Sequence, residues 1–523
     1  MLIPDDMRSW LPEGHLAWRM IGLGGELDLA EITGAYRSDG QGQAPYDPRM
    51  MLTLVLYCQY KGIRSSRMIA AACIDDVGCR VICGGARPSH QAVASFRRRH
   101  RNPVRRLFVQ VLGIMAAEDA IGGHAAAIDG SPVSGNASRF ANLTGEQLDA
   151  AIAALREQID AAAADWLASS GPGGQDTLRN GEDDEDEDED EDGGGLPAGM
   201  PRRLAVMTRQ LGVLLAAKDT LAVRAAGGAD AKAQARVEKA RQTAARAAER
   251  LAAAAAAASA KTDRYNQYAA AGKPWPYGKI PVPASENKKI ARVRKNAATA
   301  MARLAAAEQA AAAAAPGKVS ATDPGTRLLP AKNGGGWVQG WNLQLAAARN
   351  QVLLAVELHD NPADTSALVP LIQACQDNLA AAAAWPGAAG VQQRIRAWLA
   401  DAGFASAANF AELQNLLLLV AVKREAAQAG RADAGRDTPP GWQDMAARLD
   451  TPAGKALYKR RAAQVEPAFA QMFARFGRYF HYRGTDAVDA EAKLLGTVHN
   501  IAKLFAHRQR QQRKRARAAP VPA

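Results

Sequence analysis

Residues 337–360, WVQGWNLQLAAARNQVLLAVELHD, decide how the chain is read. Two apolar runs meet at Arg349-Asn350, so the stretch reads as a hairpin whose strands are both rich enough in apolar residues to be largely buried. Working outward, His124–Val133 (HAAAIDGSPV) is short enough for another buried strand, broken at Gly130 and Pro132, and carries one acid, Asp129. Downstream, Asp364 caps a helix, SALVPLIQACQDNLAAA. Residues 394–400 (RIRAWLA) give a fourth strand ending on Asp401-Ala-Gly403, and Leu416–Val422 a fifth. A last helical region surrounds Tyr458, Arg461, Glu466, Phe469 and Met472.

Residues 143–333 interrupt this series. Thr144 with Gln147 forms a capping box for an amphipathic helix, Ala-rich helices follow, and Lys273–Pro283 is an extended connector. The acidic run Glu182–Asp192 reads as a solvated spacer. With this helical insertion set aside, the order is strand, two hairpin strands, helix, strand, helix, strand, helix. That order is compatible with an α/β fold built on a ribonuclease-H-like mixed sheet. The expected domains are an all-helical N-terminal domain (1–118), the α/β domain (119–142 plus 334–505), the insertion (143–333) and a basic tail (506–523).

The 523 residues carry 65 Lys+Arg against 53 Asp+Glu, a net +12, and the acidic run alone supplies 11 of those acids. The remainder is therefore strongly basic, which suits a polyanionic partner such as nucleic acid. Five cysteines do not make a disulfide framework, and no 18-residue apolar stretch free of charge occurs. A cytoplasmic, nucleoid-associated protein that does not span a membrane is expected. Cys73, Cys79 and Cys83 read as core residues, since their spacing departs from paired zinc ligands.

Within 1–118, Asp47-Pro48, Ser65 or Ser66, and Ser89 mark helix starts, Gly62 a helix stop, and Pro103 an interruption. Arg97, Arg98, Arg99 and Arg101 crowd about one and a half turns with His100. They are either a solvated helix end or a phosphate grip in a helix-turn-helix-like unit.

Asp129 and Asp401 leave two strands, and Glu466 lies on a late helix. Converging carboxylates repel one another unless cations neutralise them, and hard oxygen ligands suit two Mg2+ or Mn2+ ions, which can clamp an in-line phosphoryl transfer. Each acid also has an ordinary reading: turns at Asp129-Gly130 and Asp401-Ala-Gly403, and a first-turn carboxylate at Glu466 before Pro467. Asp364 is the alternative to Asp401 as the middle acid.

An ordered set of motifs resembles the bacterial insertion-sequence transposases of the DDE type with an InsH-like N-terminal domain. It comprises Tyr46-Asp-Pro-Arg-Met50, Gly62-Ile-Arg-Ser-Ser66, Arg87-Pro-Ser-His90 with Phe96-Arg-Arg-Arg-His100, and Ile128-Asp-Gly-Ser131 with Asn136-Ala-Ser138. Further on stand Thr322-Asp-Pro324, Gly336–Asn342 with Gln344, Leu399–Phe404, Tyr458 and Arg461 before Val465-Glu-Pro467, and His499-Asn500. The resemblance implies a ribonuclease-H-like fold, catalytic metal ligands at Asp129, Asp401 and Glu466, and DNA contacts from Tyr458 and Arg461. It further implies binding to terminal inverted repeats and target DNA, cleavage and strand transfer, and a dimer or larger assembly on DNA. A catalytically decayed or repurposed DNA-binding copy is the alternative. Phe473 stands where similar proteins carry a lysine, with Arg475 as the nearby substitute.

Overall fold

The computed structural model describes residues 6–36, 45–169, 201–224, 230–283, 286–312, 317–331, 336–359, 361, 363–422 and 441–518; the acidic run 182–192 lies outside them. Two compact units form, one within residues 1–141, 165–205 and 322–523, the other within 142–164 and 206–321.

The helices used below are α1 (Leu16–Glu26), α2 (Ala30–Gly34), α3 (Pro48–Tyr60), α4 (Ser66–Asp75), α5 (Val77–Ile82), α6 (His90–Arg99), α7 (Arg101–Ala117), α8 (Gly145–Ser169), α9 (Arg202–Arg224), α10 (Asp230–Ala270), α11 (Lys288–Ala312), α12 (Leu368–Ala382), α13 (Ala407–Glu412), α14 (Trp442–Asp450), α15 (Pro452–Tyr458), α16 (Arg460–Phe476) and α17 (Thr485–Ala518). The strands are β1 (Gly122–Ser134), β2 (Asn142–Leu143), β3 (Val319–Ser320), β4 (Arg327–Pro330), β5 (Trp337–Arg349), β6 (Leu353–His359), β7 (Ala397–Ala400) and β8 (Leu417–Val420).

In the first unit the N-terminal helices start where the sequence offers a cap. Asp47 accepts from the Met50 amide at 2.7 Å, Ser65 from Met68 and Ser89 from Ala92, both at 3.1 Å. Gly62, at φ +80°, ends the first of these helices, and a Cβ there would stand 2.9 Å from the Arg475 carbonyl oxygen. The arginine-rich segment breaks at His100 and not at Pro103, which sits in the first turn of α7 where its missing N–H leaves no bond unmade. Cys58, Cys73, Cys79 and Cys83 are buried core side chains, with Sγ–Sγ separations of 3.6 Å for Cys58–Cys79 and 4.0 Å for Cys73–Cys83.

The mixed sheet runs β4-β5-β1-β7-β8, with β6 also pairing with β5. β5 is antiparallel to β1, β4 and β6, while β1, β7 and β8 are parallel. Asn350 and Gln351 turn the hairpin at φ 64° and 60°, and the Ala348 amide closes a three-residue loop by donating to the Val352 carbonyl at 2.8 Å. One expectation is corrected: Gly130 and Pro132 do not break the first strand, which continues through both to Ser134. Beyond Ala127, β7 no longer pairs with β1. The Ser134 amide points away from β5 to the Arg478 carbonyl, so Pro132, two residues earlier, turns its donorless nitrogen to that same edge.

An internal ion pair ties distant segments of this unit. Arg64 meets Glu491 at 2.6 Å with both side chains buried, and its guanidinium also donates to the carbonyls of Phe476 and Tyr479. Glu491 in turn accepts from the His481 and Tyr482 amides.

In the second unit, the capping box forms as expected: the Thr144 amide donates to Gln147 and the Gln147 amide to Thr144. Leu148, Ala217 and Val319 make a small core, β2 pairs with β3, and α10 packs along α11. Among the described residues, no helix is long and apolar enough to cross a membrane.

Candidate active site

β1 and β7 lie parallel with Ala125 beside Ala397 and Ala127 beside Leu399. Asp129 and Asp401 each come two residues after the last of these pairs, and both carboxylates reach the same nitrogen of the Arg461 guanidinium. Two carboxylates, separated by the whole insertion in sequence, thus approach one another where β7 ends: Asp129 lies inside β1 just past its last pairing with β7, and Asp401 directly follows β7.

The third acid comes from α16, which packs against β1 and β5. Glu466 lies in the second turn of that helix and not in its first, and Pro467 follows it inside the helix. Proline cannot donate to the Ala463 carbonyl four residues back, and an interior proline ordinarily costs about 3 kcal/mol. Gln351, from the β5–β6 turn, fills the gap by donating its side-chain amide to that carbonyl at 3.1 Å. The turn is held in place: His499 contacts the Gln351 carbonyl oxygen at 2.7 Å, Lys503 donates to its side-chain oxygen, and Asn500 bonds both backbone groups of Leu353. Burial pushes His499 down to about 4, so the ring is neutral and offers Nε2–H to Gln351.

Arg461 joins the three acids. Its guanidinium lies 3.4 Å from Asp129, 3.6 Å from Asp401 and 3.8 Å from Glu466. These separations exceed those of good charge-assisted hydrogen bonds, and the buried Arg461 Nε has no hydrogen-bond partner among the described residues. The guanidinium is therefore held mainly by charge. Asp129 is nearly buried, Asp401 is 40% exposed and Glu466 60% exposed, so the cluster opens to solvent on the helix side.

Asp401 serves two roles at once. Its Oδ1 accepts from the Gly403 amide at 2.8 Å, making the turn the sequence suggested, while Oδ2 faces Arg461. Tyr458 donates its hydroxyl to the Ala400 carbonyl at 3.0 Å and so fixes the end of β7 just before Asp401; burial raises its pKa. That hydroxyl bond and the position of Arg461 place both residues inside the carboxylate cluster, on the protein's own groups.

Asp364 is not the simple helix cap the sequence suggested. Its Oδ1 accepts from Asn342 at 2.9 Å and from Gln344 at 2.8 Å. Gln344 stands opposite Gly130 across the β1–β5 pair, one residue from Asp129 and hence on the other face. A Cβ on Gly130 would come within 2.2 Å of Gln344 Nε2 and 2.7 Å of Asp364 Oδ1, and one on Gly403 within 3.2 Å of Asp364 Oδ2. The glycine after Asp129 therefore serves close packing, not a turn. Asp364 braces the two strand ends from behind, through neutral amide donors whose partnership the sequence did not reveal.

The arginine cluster divides. Arg97 is buried, donates to the Arg64 carbonyl at 2.8 Å and lies over the Tyr482 ring, so it faces the interior where a phosphate contact was expected. Arg98 and Arg99 are exposed, Arg99 lying over the Tyr36 ring, and Arg101 is half-buried. Phe473 stacks on Phe469, while Arg475 lies over Tyr60 and not on the carboxylate side; Arg478 covers Phe473 instead.

Metal fit is decided by charge and donor type. Three carboxylates gathered round one cation form a hard-oxygen set suited to Mg2+ or Mn2+, with the guanidinium standing in for positive charge. Among the described residues, no three His, Cys, Asp or Glu side chains are close enough as they stand to hold one ion.

Residues 5–99 match the family described as Transposase domain (DUF772), and residues 441–505 match the Transposase DDE domain. The first match contains Arg64, Arg97, Arg98 and Arg99, the second Tyr458, Arg461 and Glu466; Arg101, Asp129 and Asp401 lie outside both. Together they support an insertion-sequence DDE transposase. No curated protein and no solved structure matches the chain.

Proposed function

We propose that this chain binds the terminal inverted repeats of its own element, cuts the DNA and joins the released 3′-hydroxyl to target DNA, with Asp129, Asp401 and Glu466 as the catalytic acids. The observation that carries this reading is the convergence of Asp129, Asp401 and Glu466, from three distant segments, on the one guanidinium of Arg461. The strand order, with β6, β5 and β1 antiparallel in sequence and β7 and β8 parallel to β1, supports a ribonuclease-H-like layer.

When bound, two Mg2+ or Mn2+ ions supply the charge that activates the attacking oxygen and stabilises the leaving one. Asp129, Asp401 and Glu466 would hold them, with Arg461 withdrawing from the carboxylates toward the DNA phosphate, a partner that a guanidinium binds well. Tyr458 keeps the Asp401 end of β7 in place, and Asp364 supports it from the other face. Arg98, Arg99 and Arg101 position DNA on phosphate, while Arg97 stiffens the helix that carries them. The domains are read as a helical DNA-binding segment (1–118), a catalytic segment (119–142 plus 334–505), an inserted helical segment (143–333) and a basic tail (506–523). Pairing of two DNA ends calls for a dimer or larger assembly, in the cytoplasm and at the nucleoid.

The test is Mg2+-dependent nicking of DNA carrying the element's ends. Alanine at Asp129, Asp401 or Glu466 is expected to abolish cutting and leave DNA binding largely intact; undiminished cutting in all three contradicts the reading. A second reading, a DNA-binding protein without cleavage, is favoured by Phe473, which puts a stacked ring where similar proteins have a lysine. Wild-type protein that binds ends but never nicks them would select it.

A further inference from the structure

The second unit carries a feature that cleavage does not use. Helix α10 ends at Gly272, whose φ of +66° lets the Lys273 amide bond back to the Tyr268 carbonyl at 3.0 Å, a left-handed helix stop. Pro274 and Pro276 then stiffen the connector, and Asn287 caps α11 by accepting from Lys289 and Ile290. At this tip four aromatic rings gather: Trp275 lies 5.6 Å from Tyr265, 5.7 Å from Tyr268 and 5.0 Å from Tyr277, each edge to face. Tyr277 is 56% exposed, and Lys261, Arg264, Lys273 and Lys279 are all exposed around the rings. From Lys261 to Lys295, nine lysines and arginines stand against two acids.

A cluster that only closed a helical hairpin would need its rings and not this charge. Exposed rings set in a positive field suit a polyanion with unstacked bases: the rings take base faces and the cations take phosphates. The prolines, the Gly272 stop and the Asn287 cap fix the tip beforehand, so little ordering cost opposes binding. We propose that residues 261–283 and 286–295 form a single-stranded DNA platform, with Tyr277 and Trp275 stacking on bases and Lys273 and Lys279 on the backbone. The choice of DNA over RNA rests on the proposed function; the platform itself does not.

The test uses the full chain in EDTA, so that nicking plays no part, and measures binding of fluorescein-labelled (dT)20, a 20-base-pair duplex and (rU)20 by anisotropy over a salt series. Tyr277→Ala, at an exposed ring, is expected to weaken (dT)20 binding about tenfold while changing duplex binding less than twofold. Lys273→Glu with Lys279→Glu leaves the rings in place. It should weaken (dT)20 binding further and flatten the log–log salt slope by about 1.4. Unchanged (dT)20 affinity in both variants overturns the proposal, as does equal loss on duplex, which would mean charge without stacking. Tighter binding of (rU)20 than of (dT)20 by the wild type overturns the assignment to DNA. Failure of the cleavage reading appears separately, as absent Mg2+-dependent nicking.

Discussion

The ends of β1 and β7 carry carboxylates on both sides, and the two sides are built differently. On one, Asp129, Asp401 and Glu466 surround a guanidinium at 3.4–3.8 Å, loosely held and open to solvent. On the other, Asp364 is gripped at 2.8–2.9 Å by the side-chain amides of Gln344 and Asn342, against Gly130, which leaves no room for a Cβ, and Gly403, where a Cβ would be tight. The first arrangement concentrates negative charge that a single guanidinium balances at more than hydrogen-bond distance, as the proposed exchange for metal ions requires. The second satisfies a carboxylate permanently and makes it a brace. Chemistry alone would not separate these acids; the face of the sheet does.

The largest effect that can break this contrast is on cleavage. Asp401→Ala is expected to lower Mg2+-dependent nicking by on the order of a thousandfold or more, the scale of removing several kcal/mol of charge stabilisation. Asp364→Asn should lower it less than tenfold, and the reverse ranking would exchange the two roles.

Next in size is an acid sensitivity of the support under Glu466. His499 is folded at about 4 against an ordinary 6.5. Between those values the unfolded chain takes up a proton that the folded chain rejects, so this stability is intact above about pH 6.5 and is lost as pH falls toward 4. The loss is on the order of 3 kcal/mol. Urea unfolding at pH 7 and pH 5 should show it, and His499→Gln should flatten that dependence.

A smaller loss, about 2 kcal/mol, is expected for Asp364→Ala, which leaves two amide donors without their acceptor; thermal unfolding measures it. Smallest is Arg461→Ala. Without its counter-charge the three acids repel, costing about 1 kcal/mol in metal-free protein. Millimolar Mg2+ should then raise the melting temperature of the variant more than that of the wild type. An equal Mg2+ effect in both would show that Arg461 does not occupy the ion's place.

Much of the sheet was legible because its strands are compact apolar runs bounded by turn residues, as in 337–360, and because helix caps such as Asp47, Ser65, Ser89 and Thr144 act within three residues. What lay beyond the sequence depends on partners far along the chain. Gly130 and Pro132 read as breakers because nothing local reveals that β1 has a free edge there. The short strand β4 carries no alternation long enough to notice. The three acids were candidates that the resemblance singled out, but the meeting of Asp129 and Asp401 at Arg461 crosses the entire insertion, and no local spacing encodes it. Arg97 shows the converse: a charged cluster on one helix does not say which of its members turns inward, and that was settled by the Arg64 carbonyl and the Tyr482 ring.

The most direct test of the central claim is Mn2+ binding to the full chain, followed by the loss of its free-ion magnetic resonance signal. The account expects Asp401→Asn to abolish tight binding and Asp364→Asn to retain it. Retention in Asp401→Asn with loss in Asp364→Asn would contradict it.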